Sequence, residues 1–348
     1  MARRKHSWKS GWYWPHYTAL PLTLLATLSF YFGQGWLAWT APFALILPAL
    51  LVWHCLFGLF AISRLHPSVI LALLVIAFTY PQWKGWVRVW PTEGQAESHL
   101  SVSTWNVHHW RNLEWTDLRQ TRASMSQWIA LQPSDVLSIQ DHRGLTPLAL
   151  KQHYPHRRSR WDLLIASKLP IIRSGIEEYH SPYPGHQGFI WADILWHHSE
   201  GSDTVRIANV HLVTTTFTTA DAEAAADSSG IGGLVTESFD ILRRTAWHRA
   251  EQIDQIMTWR ELSPYPVILM GDFNDLPSGY SYHRAQSGLR DAHEACGFGI
   301  GGTYHGVLGL PLRIDWILVD TAFSIQSTER LSEQVWSDHD AIRTSISP

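Results

Sequence analysis

The stretch PVILMGDFND, residues 266–275, holds four large apolar residues, Val267 to Met270, followed by Gly271, Asp272, Phe273, Asn274 and Asp275. A short continuous apolar run closed by turn residues reads as a strand buried on both faces. Its polar tail then places Asp272 and Asn274 at the strand's end. Gly, Asp and Asn also favour turns for conformational reasons, so the string alone fits an ordinary strand-to-turn transition equally well.

Working outward, similar runs recur: SVSTWNV (101–107), DVLSIQD (135–141), DLLIAS (162–167), RIDWILVD (313–320) and AIRTSIS (341–347). FIWADILW (189–196) and TVRIANVHLV (204–213) flank the turn-forming GSD and read as a hairpin. Helical segments are expected over 118–131 and 239–260. The Ala-, Asp-, Ser- and Gly-rich stretch 218–236 reads as a long loop. Strands and helices mixed without strict alternation predict an α/β fold, a four-layer sandwich of two packed mixed sheets flanked by helices.

Several of these strands end in a polar residue, and strand ends gathered on one rim can hold a metal. The candidates are Asn106 in TWNVHHW, Asp141 in SIQDHRG, His211 in ANVHL, Asp272 and Asn274, Asp315 in LRIDWIL, and Asp338 with His339 in WSDHDAI. Singly, each has a plainer reading: His211 as a hydrogen-bonded core residue, Asp338 and His339 as a surface loop. Together, GDFN, RIDWI and SDH in that order resemble the endonuclease/exonuclease/phosphatase superfamily (deoxyribonuclease I-like) from about Ser101 to Ile346. NVHL, GGTYHG and the apolar start further resemble its bacterial membrane-anchored members.

That resemblance implies a metal-dependent hydrolase of phosphodiester or phosphomonoester bonds. His339 would be the general base, oriented by Asp315 or Asp338, and Asp272 would position or polarise the attacking water. Asn274 and His211 would hold the phosphate oxygens, and Asn106, Asp141 and Asp338 would bind Mg²⁺ or Mn²⁺. Oxygen ligands suit those hard cations, and no Cys/His cluster points to zinc. Asp141 departs from the superfamily pattern, which has Glu here; one methylene fewer draws the carboxylate back by roughly 1.5 Å. That departure supports a different reading, in which the domain is a catalytically degenerate binding or scaffold module. Thr303 in GGTYHG matches a position near the site, with its role open. Arg157, Arg158 and Arg160 could meet a phosphate headgroup or form a solvated face.

The N-terminus is of another character. No Asp, Glu, Lys or Arg occurs from Ser10 to Ser63, nor from Leu65 to Trp83. Three membrane spans are expected, near 17–33, 40–62 and 68–83, since a bilayer core takes ~20 apolar residues per helix. The third could instead be a buried core helix. A cleaved signal peptide fits the basic start MARRKHSWK, but the apolar region is too long for one. Residues 1–90 thus read as a membrane region and 96–348 as the catalytic domain, joined by a short tether over 89–101. Arg3, Arg4, Lys5, Lys9 and Arg64 belong on the cytoplasmic side, which puts the catalytic domain on the periplasmic or extracellular face of a bacterial inner membrane.

Cys55 and Cys296 have no expected pairing. Residues 96–348 carry 20 Lys plus Arg against 29 Asp plus Glu, a net of −9, which disfavours unspecific nucleic-acid binding. The expected partners are a phosphoester substrate (phospholipid headgroup, nucleic acid or small phosphoester) and the membrane, with no obligate protein partner evident.

Overall fold

The structure, a computed structural model, describes residues 14–90, 94, 99–111, 118–215, 231–307, 310–331 and 336–348. Twelve strands build two mixed six-stranded sheets: β1 Leu100–Asn106, β2 Val136–Gln140, β3 His156–Arg160, β4 Leu163–Ser167, β5 Ile171–Tyr183, β6 His186–His198, β7 Gly201–His211, β8 Val267–Asp272, β9 Leu289–Asp291, β10 Asp315–Asp320, β11 Ser324–Leu331 and β12 Ala341–Ser347. One sheet runs β11-β12-β1-β2-β4-β3, the other β9-β10-β8-β7-β6-β5. Only β1/β2 and β7/β8 pair in parallel among these neighbours.

The principal helices are α1 Trp14–Tyr31, α2 Leu47–Ser63, α3 Ser68–Phe78, α4 Leu118–Leu131 and α5 Ile231–Glu261. Every residue of β8 is buried. Its pleat sends Ile268 and Met270 into the core between the sheets, with Val102, Ile165, Ile207 and Ile317. Leu269 points the other way, to the layer holding Ile253, Ile256 and Met257 of α5. On the far sheet, Leu137 and Ile139 pack under Met125 and Ile129 of α4. Helix, sheet, sheet, helix is the four-layer order expected, and burial on both faces explains why the central strands read as unbroken apolar runs.

Three expectations change. Helix α5 begins at Ile231, inside the stretch read as a loop; residues 218–230 of that loop lie outside the described residues. The exit from the N-terminal region is no free tether. Val87 and Arg88, just before the stretch read as a tether, pair with Ile300 and Gly299, and the Gly94 N–H within it donates to Gln326 O at 2.7 Å, so backbone hydrogen bonds hold both points to the sandwich. Of the three expected spans, one helix among the described residues is long and apolar enough to cross a membrane, Gly35–Ser63, built from a 3₁₀ segment, Gly35–Ile46, running into α2. Its apolar window is only 22% buried against the protein, unlike a soluble core helix. By contrast α3 has 11 residues, about 16 Å of helix against a hydrocarbon core of ~30 Å. Polar His16, Thr23, Thr27 and Ser29 interrupt the apolar run of α1. The basic residues before Trp14 lie outside the described residues.

Candidate active site

The parallel pairs bring the polar strand ends together. In register, His211 at the end of β7 faces Asp272 at the end of β8, which faces Asp315 at the start of antiparallel β10. Across the sandwich, Asn106 closes β1 beside Gln140 of β2, and Asp141 follows.

His339 lies at the centre, 6% exposed. Its Nδ1 is 2.9 Å from Asp315 Oδ2 and its Nε2 3.7 Å from Asp272 Oδ2. Of the two carboxylates considered for orienting this ring, Asp315 holds it. Asp338 instead meets His108 Nδ1 at 2.9 Å. Thr303 Oγ1 donates to Asp315 Oδ2 at 2.6 Å, and Trp105 Nε1 donates to the His339 carbonyl at 2.9 Å. Asp272 accepts from Asn106 Nδ2 at 2.9 Å and from the Asn274 backbone N–H at 2.9 Å. His211 bridges the two sheets, its Nε2 3.6 Å from Asp272 Oδ2 and its Nδ1 3.8 Å from Asp141 Oδ1.

Burial opposes a charged His339, but the carboxylates of Asp315 and Asp272 outweigh it and raise its proton affinity. Burial, with the charge of Asp315, likewise raises Asp272. Burial would raise Asp141 too, yet His211, His109, His186 and His339 together hold it below the usual carboxylate range. The charged partners of Asp141, Asp272, Asp315 and Asp338 at ion-pair distance are histidines, among the described residues.

That leaves a site of excess negative charge, which fits a divalent cation. Donor atoms of Asp272, Asp315 and His339 all lie within 4.8 Å of one another, but His339 Nδ1 and Asp315 Oδ2 are taken up by each other, which leaves the buried, unpartnered Asp315 Oδ1 and the oxygens of Asp272 as that cluster's remaining oxygen donors. Asn106, Asp141 and Asp338 line the same cavity. Asn274 adopts a left-handed backbone, φ 49°, which Asn tolerates. Its amide donates to Leu212 O at 3.0 Å and Thr214 Oγ1 at 3.1 Å. Both of its amide hydrogens are therefore committed to the protein.

Thr303, open from the sequence, is resolved as the residue that orients Asp315. Arg157, Arg158 and Arg160 lie on edge strand β3 and none lines the cavity. Arg157 hydrogen-bonds the Lys151 carbonyl at 3.1 Å, and Arg160 lies over the Trp161 ring. Residues the sequence reading passed over include His108 and His109, which follow Asn106 and Val107. His186 packs edge-on to His211 at 4.7 Å, and burial lowers its pKa to about 3. Arg249 of α5, buried against the cavity, donates to the Val213 carbonyl at 3.1 Å.

A four-layer sandwich whose strand-end rim carries an Asp–His pair facing a second buried carboxylate is the frame of a phosphoester hydrolase. The family model for the Endonuclease/Exonuclease/phosphatase family matches residues 103–339, and the chain belongs to that family, whose members hydrolyse phosphoester bonds and generally use divalent metal ions. Among solved structures, a functionally unknown conserved protein from Enterococcus faecalis V583 is similar at TM-score 0.52 and 18% identity, over 71% of this chain and 99% of that one. A Bacteroides vulgatus endonuclease/exonuclease/phosphatase gives TM-score 0.51 at 14% identity, over 72% and 99%. Humanized D. rerio TDP2 gives 0.50 at 16%, also over 72% and 99%. At these identities the likeness establishes the fold. No curated protein sequence matches.

Proposed function

We propose that the chain is a membrane-anchored, Mg²⁺- or Mn²⁺-dependent phosphoesterase in which His339 takes the proton from an attacking water. The observation that carries this is the hydrogen-bonded sequence Thr303, Asp315, His339, ending with His339 Nε2 at 3.7 Å from Asp272 Oδ2 in the cavity. Asp315 fixes the ring so that Nε2 faces that space, the arrangement a general base needs. Asp272, held by Asn106 and the Asn274 N–H, orients the water from the other side. His211 is placed to donate to a phosphate oxygen, and Asn274 can do so by releasing one of its two present acceptors.

Asn106, Asp141 and Asp338, which line the same cavity, would supply oxygen donors for the cation, which would polarise the phosphate and stabilise the departing oxygen. Because Asp315 and Asp272 favour the protonated ring, His339 works as a base only when that negative charge is compensated. The uncharged stretches at the N-terminus and the apolar helix Gly35–Ser63 support membrane anchoring, and the cations Arg3, Arg4, Lys5 and Lys9 ahead of it favour a catalytic domain outside the cytoplasm. The acidic catalytic domain favours a lipid headgroup over nucleic acid.

A hydrolysis screen of the detergent-solubilised full chain against phospholipids, nucleic acids and small phosphoesters tests this. Turnover dependent on Mg²⁺ or Mn²⁺ and lost in His339→Ala is expected. Equal turnover in that variant, or none in the wild type across the panel, would overturn the reading.

A further inference from the structure

The cavity that holds His339 and Asp272 has a volume of about 630 Å³, far more than a phosphate or a methyl phosphoester fills. Its lining carries Asp141, His211, Asp272, Asp338 and His339. It is also walled by apolar Leu276, Leu312 and Ile314 of the catalytic domain and Ala41, Pro42 and Leu45 of the N-terminal segment, with Thr214, Arg249, Asp275 and Tyr280 among them. Resting on the phosphoesterase reading, we infer that this N-terminal segment is a wall of the substrate site, and that the site takes a phosphoester with a long alkyl or isoprenoid chain lying against Ala41, Pro42 and Leu45.

The wall is built in. Ser278 Oγ donates to the Ala44 carbonyl at 2.8 Å, and Gln34 Nε2 donates to Asp254 Oδ2 at 2.8 Å. Phe30 is fully packed in the cluster holding Tyr282 and Trp316. At Gly33 the approach is so close that a Cβ would meet Tyr280 Cδ1 at 2.2 Å, which only glycine allows. From Leu45 the chain passes directly into α2, where Val52, Leu56, Leu59 and Ile62 are exposed at 55–64%. Apolar cavity wall and lipid-facing helix are therefore one continuous segment. A chain seated there lies against the segment that leads into α2, while its phosphate meets His211, Asp272 and His339. Burial of each methylene rewards such a ligand and does nothing for a nucleic-acid strand, whose recognition needs cations along an open groove.

The test uses the full chain in detergent with Mg²⁺ and a series of alkyl p-nitrophenyl phosphodiesters, methyl through dodecyl. For wild type, kcat/KM is expected to rise about fourfold per methylene over the part of the chain that enters the cavity. Micelle partitioning alone also favours long chains, so the deciding quantity is the dodecyl-to-methyl ratio in Ala41→Trp and, as a second variant, Leu45→Trp. That ratio is expected to fall at least tenfold in both when indole fills the space.

Vesicles of phosphatidylglycerol and vesicles carrying a polyprenyl phosphate then tell a glycerolipid source from an isoprenoid one. A flat series with turnover intact, or an unchanged ratio in both folded variants, overturns the inference and leaves the phosphoesterase reading in place. Faster cleavage of a single-stranded oligonucleotide, untouched by either variant, does the same. No turnover of any member fails both together.

Discussion

Thr303 Oγ1 and His339 Nδ1 converge on a single oxygen of Asp315, Oδ2, at 2.6 and 2.9 Å. Thr303 also accepts from the Asp315 backbone N–H at 3.2 Å, so one hydroxyl fixes both the backbone and the carboxylate of the residue that orients His339. Removing it while keeping its shape, in Thr303→Val, is expected to lower kcat about tenfold, the worth of one hydrogen bond to a charged group, with KM nearly constant. Thr303→Ser should restore most of the rate. Steady-state kinetics on the best substrate from the screen checks this; equal losses in both variants would mean that Thr303 serves packing alone.

Asp141 sits in the left-handed region, φ 55°, where Asp and Asn are tolerated and Ala is strained. Asp141→Asn therefore keeps both shape and backbone while removing the charge. If Asp141 helps hold the cation, the Mg²⁺ concentration for half-maximal activity should rise at least tenfold in this variant. At saturating Mg²⁺ much of the rate should return. A metal titration identical to wild type would remove Asp141 from the ligand set.

The sequence pattern made the buried strands and their polar ends legible because each central strand is buried on both faces and ends at one rim. Strands β3 and β11 escaped for the opposite reason. As edge strands they run His156–Arg160 and Ser324–Leu331 with mostly exposed or half-exposed residues, so no apolar run marks them. The start of α5 was hidden by Gly232 and Gly233, poor helix formers inside an Ala/Ser/Gly-rich stretch. At the site, Asp315 and His339 could be named, but not which carboxylate orients the ring, since the choice depends on a contact across 24 residues. His186 and Arg249 carry no local signal. Hairpin pairing and helix packing alone bring them to the cavity.

Arg313 Nη2 donates to both carboxylate oxygens of buried Asp291, at 2.7 and 2.6 Å, and Arg313 Nη1 donates to the Gly85 carbonyl at 2.9 Å, tying the N-terminal region to the catalytic domain. Burial pushes Asp291 up, but Arg313 overcomes it and holds the carboxyl below the ordinary range. A carboxylate depressed in the folded state contributes its stability in full above its unfolded pKa, about 4, and loses it as pH falls through the lower folded value. Chemical denaturation at pH 7 should find Asp291→Asn about 3–5 kcal/mol less stable than wild type, because Arg313 is left buried without its partner. The gap should narrow as pH falls below about 4. A pH-independent gap would assign the loss to packing.

Asn209 lies between the sheets and belongs to β7, two residues before His211. Its amide donates to the Ile139 carbonyl at 3.0 Å and the Leu164 carbonyl at 2.9 Å, and its Oδ1 accepts from Gln140 Nε2 at 2.7 Å. One side chain thus stitches β7 to β2 and β4 of the facing sheet, just below the rim where Asp141 and His211 meet. Asn209→Leu preserves volume and leaves these groups buried without partners, a cost of about 3 kcal/mol. The consequence should exceed stability. With the stitch gone, the sheets are free to shift at the rim, where Asp141 and His211 must face each other at 3.8 Å. Well below the melting transition, kcat should therefore fall about tenfold or more, as small misplacements of reacting groups do. A variant that melts earlier yet keeps the wild-type rate when folded would confine Asn209 to holding the core together.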